Sequence, residues 1–150
     1  MSIQTFYPGL HERRFGLPLV NTVDLGVPVA SKFRAGFQVP TTGVLANTYN
    51  GVQASIGSVC VYVPITGSGS GTTTLYICKN EDNTNYLGKV DVAYNDTTGP
   101  YYQLDLRDAA GDGVSLMAGE SISVYVYAAA TSVGAVSVTY YGQTYGAHIK

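Results

Sequence analysis

The stretch Ser58–Asn80, SVCVYVPITGSGSGTTTLYICKN, holds two alternating apolar runs either side of a Gly/Ser segment, with the chain's two cysteines placed one in each run. Side chains alternate across a strand, so Val59, Val61, Val63 and Ile65, then Leu75 and Ile77, fall on one face. Ser58, Cys60, Tyr62, Thr74, Tyr76 and Cys78 fall on the other. With Gly67–Gly71 as the loop, the two runs read as an antiparallel hairpin in which Val63 faces Leu75, Val61 faces Ile77 and Cys60 faces Cys78. Directly opposed residues lie about 4.5–5.5 Å apart at Cα, within reach of a disulfide that would add roughly 3 kcal/mol. Two readings stay open for Cys60 and Cys78: a disulfide, or a reduced pair that packs without bonding, as a cytosolic product would keep it. Zinc needs three or four ligands, and with no CxxC pair and no nearby histidine no metal site is expected here.

The same alternation continues outward. From Ile56 onward it predicts strands near 56–66, 72–80, 86–94, 101–107, 120–130 and 134–142. The inward set extends through Val90 and Val92, Leu104 and Leu106, Ile122, Val124 and Val126, and Val136 and Val138. The opposite set continues through Ser121, Ser123, Tyr125, Tyr127, Ser137, Thr139 and Tyr141. It reads as one polar face rich in tyrosine. The segment 106–119 reads as a loop, because Gly111, Gly113 and Gly119 would each cost a helix about 1 kcal/mol.

Composition agrees with an all-β chain. Of 150 residues only 12% are charged, while Gly (18) and Tyr (13) are abundant, which suits short strands punctuated by turns. The length suits one domain with a real core. The fold expected is an antiparallel β-sandwich, jelly-roll-like, over residues 51–150, preceded by an extended N-terminal arm with first edge segments over residues 1–50. Pro8, Pro18, Pro28 and Pro40 in that first part cannot donate to a sheet ladder, which favours edge positions.

The net charge of −2 lacks the basic footprint of a nucleic-acid binder. No run approaches the roughly 20 apolar residues that span a bilayer, so no membrane partner is expected. The first sixteen residues show no continuous apolar core of a signal peptide, so synthesis in a host cytoplasm is expected. Residues 1–50 carry a net +2 and residues 51–150 a net −4, which suits an arm that touches an acidic partner.

Catalytic motifs are not evident. His11 and His148 lie near opposite ends, and there is no GxSxG. The acidic clusters Asn80–Asn85 and Asp105–Gly113 offer calcium-type ligands, but they miss the EF-hand spacing and use the ordinary residues of turns. No catalytic residue, cofactor or metal is expected. The tyrosine-rich face has two uses in the sequence: Tyr62, Tyr76, Tyr125, Tyr127 and Tyr141 can form an oligomer seam, or they can stack on sugars as a carbohydrate- or receptor-binding module. Trp, the usual companion in sugar platforms, is absent, which favours the seam.

The segments Gly57–Asn83, GSVCVYVPITGSGSGTTTLYICKNEDN, and Leu116–Ala130, LMAGESISVYVYAAA, following a proline-spaced aromatic arm, give the chain a likeness to a known group. It resembles the head decoration, or cement, proteins of tailed bacteriophages. The lead-in to Ser121–Tyr127 is similar to the late strands of jelly-roll domains, including trimeric tumour-necrosis-factor-like ones. The resemblance implies a non-enzymatic virion protein on the capsid exterior that binds the major capsid protein, stabilises the shell and acts as a homotrimer. Its arm anchors would be Phe6, Tyr7, Phe15, Phe33 and Phe37, with Arg13, Arg14 and Arg34 pairing with acidic capsid groups.

Overall fold

Runs in which β-branched and aromatic residues alternate with polar ones become strands. A computed structural model describes residues 16–39 and 53–145, and among them are nine strands and no helix. In chain order these are β1 (Gly16–Gly26), β2 (Lys32–Gln38), β3 (Ala54–Tyr62), β4 (Thr72–Lys79), β5 (Gly88–Ala93), β6 (Tyr101–Asp105), β7 (Val114–Leu116), β8 (Ser121–Ala128) and β9 (Val136–Tyr145). One sheet runs β1-β9-β3-β6, with β7 beside β6 on the same edge of β3; the other runs β2-β8-β4-β5. All pairings are antiparallel.

Counting β6 and β7 as one interrupted strand, the chain pairs first with last: β1 with β9, β2 with β8, β3 with β6/β7, and β4 with β5. Successive pairs alternate between the two sheets. A long antiparallel ribbon rolled in this way is the jelly roll. Two of its strands come from the first part of the chain: β1 closes one sheet beside β9 and β2 closes the other beside β8. Both are edge strands, which is why β1 tolerates Pro18.

The hairpin expected for Ser58–Asn80 does not form. β3 pairs with β9 and β6, β4 pairs with β8 and β5, and the two runs lie in different sheets. Pro64 ends the ladder, and the chain then crosses between sheets through Gly67, Gly69 and Gly71, all at positive φ. The crossing is pinned to the β8–β9 connection: Ser70 N donates to Thr131 Oγ1 at 2.7 Å, and Thr131 N donates to Ser70 O at 3.0 Å. The alternating pattern fixed which face each residue takes, but any alternating run satisfies another, so the partner was decided by the roll.

The inward set matches the expected core. Val59, Val61, Val63, Leu75, Ile77, Val92, Ile122, Val124, Val126 and Val138 are fully or almost fully buried, and each such side chain stabilises the fold by about 1.5–3 kcal/mol at most. Leu104 and Leu106 pack at its margin. The structure adds Ala54, Ile56, Leu116 and Tyr140. Leu116 lies on β7, inside the segment expected to be a loop. Tyr140 continues the inward series of Val136 and Val138, and burial pushes its hydroxyl pKa up.

Two glycines mark where strands approach too closely for a side chain. Gly142 on β9 lies against the Ser55 carbonyl of β3, and Gly36 in β2 lies against the Ile122 carbonyl of β8; a Cβ at either would overlap those atoms. Gly142→Ala is expected to lower stability by about 1–3 kcal/mol in a denaturant titration, with the m-value unchanged. Removing residues 1–40 strips both outer strands and is expected to abolish the cooperative thermal transition. A sharp transition in that truncated chain would show that the seven remaining strands suffice.

Candidate functional site

With the core committed inward, each sheet presents its other face to solvent. On the β2-β8-β4-β5 sheet the outward positions of β8 and β4 include Tyr125, Tyr127 and Tyr76, and the register sets Phe33 opposite Tyr125 and Tyr125 opposite Tyr76. Their rings form a connected row. Phe33 and Tyr125 are 4.8 Å apart at 58°, Tyr125 and Tyr76 6.3 Å at 21°, and Tyr76 and Tyr127 5.4 Å at 29°. Tyr86, from the β4–β5 connection, lies face to face on Tyr76 at 4.2 Å and 9°. Such ring pairs contribute about 0.5–1.5 kcal/mol each beyond the area they bury. Tyr127 and Tyr86 are the exposed members, at 58% and 41%.

The row is flanked on β5 by a small polar group. Thr74 Oγ1 donates to Asp91 Oδ1 at 2.6 Å, and Lys89 Nζ lies 3.3 Å from Asp91 Oδ2. The Thr74 hydroxyl, then the Lys89 ammonium, hold the Asp91 carboxyl below the usual carboxylate range. Desolvation, then the neighbouring Tyr86 and Tyr127, raise the Tyr76 pKa, so its hydroxyl stays neutral near pH 7. The face therefore offers rings and neutral hydroxyls with one compensated ion pair at its margin.

The five seam tyrosines do not share one face. Tyr76, Tyr125 and Tyr127 belong to this row, whereas Tyr62 and Tyr141 lie on the outer face of the other sheet. The reason is the roll: β3 and β9 are paired with each other, away from β4 and β8. That second face is flatter in chemistry, with Thr22, Thr139, Cys60 and Gln103 in one cross-strand line. Thr22 and Thr139 hydroxyls meet at 2.9 Å, and Tyr62 packs on Tyr101 at 5.0 Å.

Cys60 and Cys78 are both free thiols. A disulfide between them is ruled out by topology, since they stand on outward positions of opposite sheets, and stacked sheets lie about 10 Å apart before the outward side chains add to the span. Cys78 is buried, and desolvation pushes its thiol up to about 11, while Cys60 is half-buried. Because the folded value exceeds that of the unfolded chain, Cys78 stabilises the fold fully below about pH 8.5, and this contribution fades as pH rises toward 11. A thiol-reactive dye at pH 8 is expected to label Cys60 alone in the native protein and both cysteines in denaturant. Rapid native labelling of both would contradict the burial of Cys78.

Of the residues expected in a capsid-binding arm, Phe6, Tyr7, Arg13, Arg14 and Phe15 lie outside the described residues, as do His11 and His148. The other three lie on β2: Phe33 in the aromatic row, Phe37 against the core, and Arg34 with Nη2 donating to Leu25 O at 2.5 Å. The acidic clusters serve turns. Asp82 Oδ1 accepts from Thr84 N at 3.0 Å and Asn85 N at 3.2 Å, Asp108 Oδ1 from Ala110 N and Asp112 N at 2.9 Å, and Asp105 holds Arg107 at 2.9 Å. Sequence reasoning missed Tyr86 as part of the row, because the strand expected over 86–94 gives it the inward parity of Val90 and Val92, whereas β5 begins at Gly88 and leaves Tyr86 in the connection. Phe33, expected as an arm anchor, lies on β2 in this row, and its spacing from Phe37 does not reveal the intervening bulge.

No family model matches this chain, and no curated protein matches it. Among solved structures, a chain from the crystal structure of tomato aspermy virus aligns with 90% of this chain and 79% of its own length, at 11% identity and a TM-score of 0.42. A chain from the full particle of Israeli acute paralysis virus heated to 63 degrees aligns with 89% of this chain and 76% of its own, at 9% identity and a TM-score of 0.37.

Proposed function

We propose that this chain is a structural, non-enzymatic protein of a virus particle that binds the outer capsid surface and stabilises the shell as a homotrimer. The observation that carries this reading is the aromatic row Phe33–Tyr125–Tyr76–Tyr86, with Tyr127 beside it, on the outer face of a rigid jelly roll. Rings held by one another lose little conformational freedom on docking, and tyrosine is the side chain that interfaces favour for that reason. Neutral hydroxyls along the row can be satisfied across a seam without the desolvation cost of charges. The row is the trimer seam, and Phe6, Tyr7, Phe15, Arg13 and Arg14 of the first fifteen residues contact the major capsid protein. Three such segments on one trimer would multiply individually weak contacts.

The test separates the two faces. Native mass by light scattering is expected to give a trimer that co-sediments with its capsid. Tyr76→Ala with Tyr127→Ala is expected to weaken self-association about tenfold or more, while Tyr62→Ala with Tyr101→Ala on the opposite sheet leaves it unchanged. A monomeric parent protein that ignores capsids would overturn the reading. Trimers lost only with the Tyr62 and Tyr101 pair would move the seam to the other sheet.

A further inference from the structure

The connection between the two outer strands, residues 27–31, reads VPVAS. Loops draw on Gly, Asn, Asp and Ser, whereas this one turns apolar side chains to solvent. Val27 is 57% exposed and Val29 49%, Ala30 is exposed beside them, and no residue from Leu25 to Ser31 is charged. The backbone beneath them is held at three points. Arg34 Nη2 donates to Leu25 O and, at 3.5 Å, to Val27 O; Pro28 is buried; and Ser31 N donates to Val126 O of β8 at 2.6 Å. The two valines therefore form a fixed apolar knob, and groups already fixed lose little freedom when they dock. Leu17, Val20 and Met117 are exposed too, but Leu17 and Val20 take opposite faces of β1, and Met117 stands in a separate turn.

What the knob fits follows from symmetry, and it rests on the reading of the aromatic row as a trimer seam. Copies related by a twofold axis can present one patch to itself. Neighbours around a threefold axis join two different patches, apart from side chains on the axis itself. The row crosses β2, β8 and β4 to Tyr86, so most of it must meet something other than another row. The knob suits it in chemistry: both are uncharged apart from the compensated Lys89–Asp91 pair, so their contact strands no lone charge. It suits it in placement as well. The connection spans the edge where β1 of one sheet leads into β2 of the other, and the row lies on the outer face that begins at β2 with Phe33. Patches on adjacent sides of a body can close a small ring, whereas patches on opposite sides propagate a filament. We propose that the Val27–Val29 knob of each copy docks on the aromatic row of the next, in a head-to-tail seam that closes after three.

The test mixes two defective variants of the full chain. One carries Tyr76→Ala with Tyr127→Ala in the row, the other Val27→Asp with Val29→Asp in the knob, each checked to keep the parent's cooperative thermal transition. Sedimentation velocity over a concentration series is expected to show trimers for the parent and self-association weakened about tenfold or more for each variant alone. Mixed one to one, each variant supplies the patch that the other lacks. Complexes of two copies, one of each variant, are then expected, without closed trimers. Val27→Ser with Val29→Ser removes the apolar groups without adding charge; it is expected to weaken trimers in the same direction and replaces the Asp variant should that one not fold. Trimers unaffected by the knob variants would overturn the inference and leave the trimer reading standing. A mixture that associates no better than its separate components would do the same. A monomeric parent would overturn both.

Discussion

The outer faces of both sheets are positioned by the facing of two central ribbons, β9–β3 in one sheet and β8–β4 in the other. Val59, Val61, Val138 and Tyr140 from the first, with Leu75, Ile77, Val124 and Val126 from the second, belong to one buried cluster. Because the strand period is two, burying those residues leaves their neighbours no choice of direction. Tyr76, Tyr125 and Tyr127 point outward because Leu75, Ile77, Val124 and Val126 point inward. A slip of one residue between β4 and β8 would bury the aromatic row and expose the valines.

The outer strands complete that arrangement and add its irregularities. β1 pairs along β9 from Gly16–Tyr145 to Gly26–Val136 and shields its edge. β2 does the same for β8 but carries a bulge at Gly36, where its backbone lies against the Ile122 carbonyl. Arg34 ties the two outer strands together by donating to Leu25 O at the end of β1. One strand thus supplies a ring to the aromatic row, a side chain to the core and a close backbone approach to β8, through Phe33, Phe37 and Gly36 in turn.

The two outer faces differ in character for a reason that lies in pairing. In the β2-β8-β4-β5 sheet the register sets aromatic residues beside aromatic residues across three strands, so the rings form a continuous surface. In the other sheet, Tyr62 meets Tyr101 on one side but Ser137 on the other, and Tyr141 falls beside Val20 and Ser58, so beyond that one pair no row of rings forms. Similar composition on two faces yields an adhesive row on one and a hydroxyl-bearing plane on the other.

The sequence by itself determined the fold class and the direction of the side chains in its alternating strand runs, because alternation of apolar and polar residues is a local code that burial enforces. Val59, Leu75, Val124 and Val138 were legible as core for that reason. Tertiary structure decided which run pairs with which. Cys60 and Cys78 read as opposed partners in a hairpin, yet the roll sends β3 to β9 and β4 to β8, because all these runs present equally good apolar faces and only the closed pair of sheets buries them all. The gathering of Phe33 and Tyr86 into the aromatic row, and the bulge at Gly36, had no local signature. They arise from a bulge, a connection and a cross-strand neighbour, which are relations between distant segments.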